Sequence, residues 1–387
     1  MLRILLFSSA LLLGAARAQA APIELESADG PDKTCPQFRD AKPAGLRRDD
    51  ERIAFALCNA IDMGRETAAR LREFQQRQQQ VGDRSFIDEI RARLERILVR
   101  IRASRTALEA VRGNGPYFAV RPGEWRIDWD GDGRISDMEK YLLWVPKRGV
   151  EVFRSQASFG GSEAAYHEAQ FVSPRIQLDR SDLLWAIAYC NFAEGVLNLV
   201  LAYEVTMDQR FDVRLKDPAR VTRVAYRNIL DGLKASARLR ETLQKETDDD
   251  DEWIPNPKQV KTSFPLLMDA QTFATWGELL GHMDKLFRGR TLLGGTPQSP
   301  EVRRVRDLAQ GICPPGEGID VQSLFTRPIP FPLAENALKS RCRKPSAARP
   351  MTGLAQLMSD SAQRNAGRSP EGFSGEWTIL RHFYWVN

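Results

Sequence analysis

The chain has 387 residues and a formal charge of +5, with 56 basic and 51 acidic residues mixed along its length. So small and dispersed a surplus does not make a surface that tracks phosphates, and nucleic acid is excluded as an expected partner. Three histidines and no Cys-x-x-Cys pair argue against a zinc centre, while the length suits either two domains or one large helical body.

At the N-terminus Arg3 precedes an apolar run from Ile4 to Ala16, and Ala18-Gln19-Ala20 supplies the small residues of a cleavage site. This pattern predicts a signal peptide over residues 1–20 and a periplasmic or secreted protein. The run falls short of the roughly 20 residues that span a bilayer. Cleavage after Ala20 leaves 367 residues and, with Arg3 and Arg17 gone, lowers the charge from +5 to +3. An oxidising compartment permits disulfides, and five cysteines leave one over. Cys35–Cys58 and Cys313–Cys342 are the expected local pairs. Cys190, inside an apolar segment, is the expected buried free thiol.

Residues 21–45 carry Pro22, Pro31, Pro36 and Pro43 and read as an extended N-terminal arm or linker. Residues 46–115 read as an antiparallel helical hairpin. Its first helix, about 48–79, shows the stripe Ile53, Leu57, Ile61, Leu71 and Phe74. Its second, about 86–112, shows Ile87, Ile90, Leu94, Ile97, Ile101, Leu108 and Val111 in steps of three and four that skip only Ser104. Ser85 and Asp88 resemble a capping box for the second helix, and Val81-Gly82-Asp83 is a plausible connection. Packing within the chain is the expected role of these stripes; a coiled coil to a partner is the alternative.

Residues 116–150 hold the segment with the most specific chemistry, Asp128-Trp129-Asp130-Gly131-Asp132-Gly133-Arg134-Ile135-Ser136-Asp137-Met138-Glu139. Calcium takes six to eight oxygen ligands, and a short loop supplies them only if oxygen-bearing residues alternate around the ion. Asp128, Asp130 and Asp132 stand at positions 1, 3 and 5, and Gly133 at position 6, where the chain must turn sharply. Arg134 at position 7 offers its carbonyl, Ser136 stands at position 9, and Glu139 stands at position 12 as the bidentate ligand. The segment resembles the calcium loop of the EF-hand family over these twelve residues and the short helix after them, about Asp137 to Trp144, which Pro146 stops. The resemblance implies a Ca2+ ion held by Asp128, Asp130, Asp132, Arg134, Ser136 and Glu139. It departs from the family in two ways. Pro122, Gly123 and Trp125 precede the loop where the family has an entering helix, and Ile135 at position 8 has no second loop to pair with.

Residues 151–295 read as a helical core. A Gly/Ser-rich stretch surrounds Gly160-Gly161, and then Leu183 to Val205 form the most apolar segment of the mature chain. Asn191, Glu194 and Asn198 interrupt it on one face. A central bundle helix suits these polar groups better than a membrane span does, with Glu194 satisfied by an arginine. Asp217-Pro218 opens a further helix with the stripe Val221, Val224, Ile229, Leu233, Leu239 and Leu243. The run Asp248 to Glu252 reads as a solvated loop, with a weak second cation site as the alternative. Trp253 to Pro257 reads as a connector over a core edge. Ser263 and Pro265 are expected to open a helix to about Phe287, on which Glu278 and His282 form an ordinary surface pair. Residues 296–387 are Pro-rich, with short helices about 300–310 and 351–359 and an aromatic end, Trp377 to Trp385.

The expected fold is mainly α: an N-terminal helical hairpin, one EF-hand-like calcium loop and a larger helical-bundle body. The expected function is that of an exported calcium-binding protein, calcium being structural. It would serve as a cell-envelope scaffold or interaction module with an envelope protein partner and no stable membrane span. The alternative is an envelope hydrolase or lyase with structural calcium, for which Glu194 and Glu278 are the candidate acids. No G-x-S-x-G or H-E-x-x-H motif supports that alternative.

Overall fold

The computed structural model describes residues 22–76, 84–147, 168, 170–207, 211–264, 268–294, 313–329, 335–354 and 356–357. The protein is mainly α. The helices are α1 (Gly30–Thr34), α2 (Asp49–Gln76), α3 (Arg84–Glu109), α4 (Asp137–Tyr141), α5 (Arg180–Leu201), α6 (Tyr226–Leu243), α7 (Ala270–Phe287), α8 (Val321–Thr326) and α9 (Glu335–Lys339). Among the described residues the strands form two-stranded antiparallel pairs: β1 (Ala119–Val120) with β4 (Ile176–Gln177), β2 (Val145–Pro146) with β3 (Phe171–Val172), β5 (Tyr203–Met207) with β6 (Phe211–Leu215), and β7 (Gly318–Ile319) with β8 (Cys342–Arg343).

The five long helices run antiparallel, each to the next. Between α2 and α3, Asn59 donates to Ser104 Oγ at 3.2 Å and Arg100 pairs with Glu66 at 2.9 Å. Ser104, the one gap in the apolar seam of α3, is thus a buried polar link inside the hairpin. Between α3 and α5, the Arg91 guanidinium caps the end of α5 by donating to the Leu201 and Tyr203 carbonyls at 2.6 and 2.8 Å. Between α5 and α6, a Cβ on Gly195 would touch Ile229 and one on Gly232 would meet the Phe192 ring. Between α6 and α7, Arg240 donates to the Phe273 carbonyl at 3.2 Å, and the Tyr226 hydroxyl donates to the Phe287 carbonyl at 2.8 Å.

Helix α5 is the middle of this row, and among the described residues it is the one helix long and apolar enough to cross a membrane. Its Asp179 cap and Asp182 form a reciprocal capping box. Glu194, 1 % exposed, is satisfied as expected: it accepts from Arg105 Nε at 2.5 Å, from Arg102 Nε at 3.4 Å and from Asn228 at 3.3 Å. Asn198 takes a hydrogen bond from Arg220, whose guanidinium also forks onto both Glu95 oxygens at 2.8 Å. Cys35–Cys58 and Cys313–Cys342 are bonded, and Cys190 is the free cysteine; it is half-buried rather than fully buried, and that burial pushes its thiol up to about 12.

Several expectations need correction. Residues 22–45 are not an extended arm: α1, two turns of 3-10 helix and the Cys35 disulfide fold them onto the core, where Leu25 and Phe38 are buried. Leu71 and Ile90 of the predicted stripes are exposed, while Leu98 and Ala107 are buried instead. Ser85 lies one residue inside α3 rather than at its cap. The apolar segment 183–205 ends as a helix at Leu201 and turns into β5. A π-helical turn, Arg220–Ala225, shifts the phase of the next helix, so Val221 and Ala225 are buried and Val224 is not. Helix α7 starts at the Asp269 cap rather than at Ser263, with Thr272 N–H donating to Asp269 at 2.8 Å. The acidic run 248–252 is a loop only partly solvated: Asp248 and Asp250 are exposed, but the others are not. Asp249 accepts from the Val260 and Lys261 N–H groups, Asp251 pairs with Arg175 at 2.8 Å, and Glu252 is 4 % exposed. The 81–83 connection, the 160–161 glycines, the 300–310 helix and the aromatic C-terminus lie outside the described residues.

Candidate metal centre

The chain reaches the 128–139 loop through β1 and a 3-10 turn, Pro122–Glu124, with no entering helix. Trp125 and Ile127 turn inward and are buried, and the Trp125 indole donates to the Leu25 carbonyl at 2.8 Å. The inward alternation continues into the loop at Trp129, which is 8 % exposed and shares the core with Ala54, Phe55, Cys58 and Ile61 of α2. Its ring lies so close to α2 that a Cβ on Gly64 would fall 2.5 Å from Cζ3. The glycine is what allows the loop to dock on the hairpin.

Within the loop the carboxylates organise the backbone. Asp128 Oδ1 accepts from the Gly131 and Asp132 N–H groups at 2.7 and 3.1 Å, and Oδ2 accepts from Gly133 N–H at 2.8 Å. Asp130 Oδ1 accepts from Asp132 N–H at 3.2 Å, and Asp132 Oδ1 from Arg134 N–H at 2.8 Å. Gly133 at φ +82° takes the left-handed turn foreseen for position 6. Ser136 caps α4, and with Glu139 it makes a full capping box. Glu139 Oε1 reaches back across the loop to the Trp129 and Asp130 N–H groups at 2.7 and 3.2 Å, while Oε2 accepts from Ser136 N–H and Oγ at 2.8 Å. Burial raises the Glu139 carboxyl, but these hydrogen bonds outweigh it and hold the group below its ordinary value.

Asp128, Asp130 and Glu139 each offer an oxygen within 4.8 Å of the other two. Oxygens that close can share one ion at calcium's bond lengths of about 2.3–2.6 Å, and an all-oxygen, multiply charged donor set suits that hard cation. Asp132 lies outside this trio. The Arg134 and Ser136 side chains are exposed, which is no obstacle for a position that contributes a carbonyl and for one that can act through water. Arg72, near the end of α2, was not foreseen: its guanidinium stands 3.7 Å from Asp130 and 4.0 Å from Asp132. Nothing local in the sequence links it to the loop, since the contact is made only by docking on α2. The other candidate acids do not join the site. Glu194 is held inside the bundle by Arg105 and Arg102, and Glu278 lies on α7 beside His282, whose Nδ1 is 3.2 Å from Thr352 Oγ1. No protein-family model, curated protein or solved structure matches the chain.

Proposed function

We propose that this chain is an exported calcium-binding helical protein and a scaffold or interaction module of the cell envelope. A structural Ca2+ ion, held by Asp128, Asp130, Asp132, Arg134, Ser136 and Glu139, would brace the loop against the hairpin. The observation that carries this reading is the convergence of Asp128, Asp130 and Glu139 oxygens within 4.8 Å in a loop seated on α2 by Trp129. Two disulfides support an oxidising, exported setting, where calcium is abundant enough to fill even a site of about 10⁻⁴–10⁻³ M. Bracing fits better than switching. Sensor loops open to uncover an apolar groove, whereas moving this loop would expose the Trp129 indole.

Calorimetric titration with calcium tests the reading, with Asp128→Ala plus Glu139→Ala as the control. The intact chain should bind and melt at higher temperature with calcium, by about 2.7 kcal/mol of added stability at a hundredfold excess over Kd. The double variant should lose that heat and that shift. Equal heats from the two proteins would remove calcium binding by this loop.

A further inference from the structure

Four carboxylates from three separate stretches of chain gather at the N-terminal end of α5. Asp179 is its cap and Asp182 lies in its first turn; Glu246 follows the end of α6, and Glu252 begins the connector. Oxygens of Asp179, Glu246 and Glu252 all lie within 4.8 Å of one another. Asp182 and Glu252 are 5 % and 4 % exposed, and both carboxylate oxygens of Glu246 are buried with no hydrogen-bond partner. The donors nearby offset this only in part: Ser181 Oγ donates to Asp179 Oδ1 at 2.7 Å and the Gln259 amide to the Asp248 carbonyl at 3.0 Å, and the weak pull that both exert on Glu246 does not overcome its burial. Among the described residues no ion pair reaches any of the four acids. Arg175 is spent on Glu26 and Asp251, and Arg180 donates to the Val111 carbonyl.

Such a cluster cannot stay fully ionised without a counter-charge, because each buried unpaired carboxylate costs several kcal/mol. Burial first, and the neighbouring acids after it, push all four carboxyls up, Glu246 to about 7 and Glu252 to about 8. A single shared proton would lower the charge and let one carboxyl donate to its neighbour, but it would satisfy at most one Glu246 oxygen and leave the other without a partner, an expensive arrangement in a protein interior. A hard divalent cation supplies charge and ligation together. Asp179 is arranged for this: its Oδ1 is taken by Ser181 N–H, Ser181 Oγ and Asp182 N–H, which leaves Oδ2 for the cluster.

We infer that Asp179, Glu246 and Glu252 form a second, buried site for a hard divalent cation such as calcium, backed by Asp182, that clips the start of α5 to the end of α6 and to the 252–257 connector. The site shares no residue with the 128–139 loop and does not depend on it.

The test uses the full chain, stripped with chelator, in the Asp128→Ala/Glu139→Ala background. Calorimetric titration with calcium chloride, and separately with magnesium chloride, should still show one equivalent of cation with at least one of the two ions. Adding Glu246→Gln and Glu252→Gln should remove it. These replacements keep the side-chain shape and relieve repulsion, so the variant should fold at least as stably without cation. Terbium(III) gives a second readout that needs no change in the cluster. Trp253 adjoins Glu252, so sensitised terbium emission should persist in the loop variant and vanish with the two glutamines. No heat from either ion together with no sensitised emission in the loop variant would overturn the site. So would an unchanged stoichiometry after Glu246→Gln/Glu252→Gln. Failure of the 128–139 loop reads separately, as no loss of stoichiometry between the natural chain and the Asp128→Ala/Glu139→Ala variant.

Discussion

Replacing Gly64 by alanine tests whether the 128–139 loop is docked on α2 through Trp129, and Gly281→Ala is its internal control. Both glycines sit inside long helices, where alanine is the better helix former by about 1 kcal/mol. A Cβ at Gly281 meets nothing within 4 Å, so Gly281→Ala should stabilise by about that amount. A Cβ at Gly64 would lie 2.5 Å from Trp129 Cζ3 and 3.2 Å from Cε3. The indole is rigid and 8 % exposed, and it can move only by leaving the core. Overpacking of this kind costs about 1–3 kcal/mol, which turns the helix-propensity gain into a net loss of up to about 2 kcal/mol. Trp129 lies between Asp128 and Asp130, so the displacement also reaches these two proposed ligands. Calcium affinity should fall by no more than the strain energy allows, about thirtyfold for 2 kcal/mol. Urea unfolding at constant m-value reads the stabilities, and calorimetry reads the affinity. If Gly64→Ala stabilises as Gly281→Ala does and leaves calcium affinity unchanged, the docking argument is wrong.

Two further outcomes follow from the bundle. Arg105→Leu strips Glu194, 1 % exposed, of its shortest partner and leaves only the contacts at 3.4 Å to Arg102 and 3.3 Å to Asn228. The expected cost is about 3–5 kcal/mol in urea unfolding. Arg105→Leu with Glu194→Leu should recover most of it, and a double variant as unstable as the single would contradict the account. Asp49 joins the start of α2 to the end of α3 by accepting from the Arg112 and Gly113 N–H groups at 3.1 and 2.8 Å and from Arg52 at 2.7 Å. Burial raises its carboxyl, but these bonds prevail and hold it below the ordinary 3.8. A depressed carboxyl stabilises the fold above its unfolded value and loses that contribution as pH falls through the folded one. Asp49→Ala should therefore cost about 1 kcal/mol at neutral pH and progressively less as pH drops below 3.8. A cost that does not change with pH would exclude the ionised form as its source.

What the sequence made legible is what local spacing controls. The stripe Ile53, Leu57, Ile61 identifies α2 because a 3.6-residue period needs only neighbouring residues, and the Gly133 turn of the 128–139 loop was readable because its positions lie within twelve residues. Glu194 was readable as a buried acid seeking an arginine, since an apolar helix cannot bury a charge alone. The misreadings share a cause. Leu71 and Ile90 keep the helical period, but their exposure depends on where the neighbouring helices end. Val224 sits on the predicted stripe, and the π-turn rotates it out. The run 248–252 looks solvated by composition, yet Glu252 is drawn inward because Trp253 and Ile254 beside it enter the core. The Arg72 contact and the Asp179–Glu246–Glu252 cluster join residues distant in sequence, and no local pattern announces either.

The two proposed cation sites are best understood through the ribbon between them. Strands β1 and β4 pair Ala119 with Gln177 and Val120 with Ile176, closing the long excursion that carries the 128–139 loop. Just beyond β4, Leu178 exchanges backbone hydrogen bonds with Tyr117 and Phe118, and Gln177 N–H donates to the Asp251 carbonyl at 3.2 Å. One end of the ribbon therefore leads to the loop docked on α2, and the other to the acidic cluster at the start of α5. A ribbon of two residues per strand adds little to holding such an excursion, because isolated two-stranded pairs are marginal in water, and its main anchorage is the burial of Trp125, Ile127 and Trp129. Disulfide Cys35–Cys58 ties the 22–45 segment to α2, but neither described disulfide includes a residue between 116 and 179. Cations bound at both ends would add to that anchorage. Chelation should then loosen this excursion first, so that amide exchange accelerates over the described residues of 119–147 and 170–182 while the α3–α6 interior stays protected until global unfolding. Uniform acceleration across α3, α5 and α6 on chelation would show that the cations stabilise the bundle as a whole and do not pin one part of it.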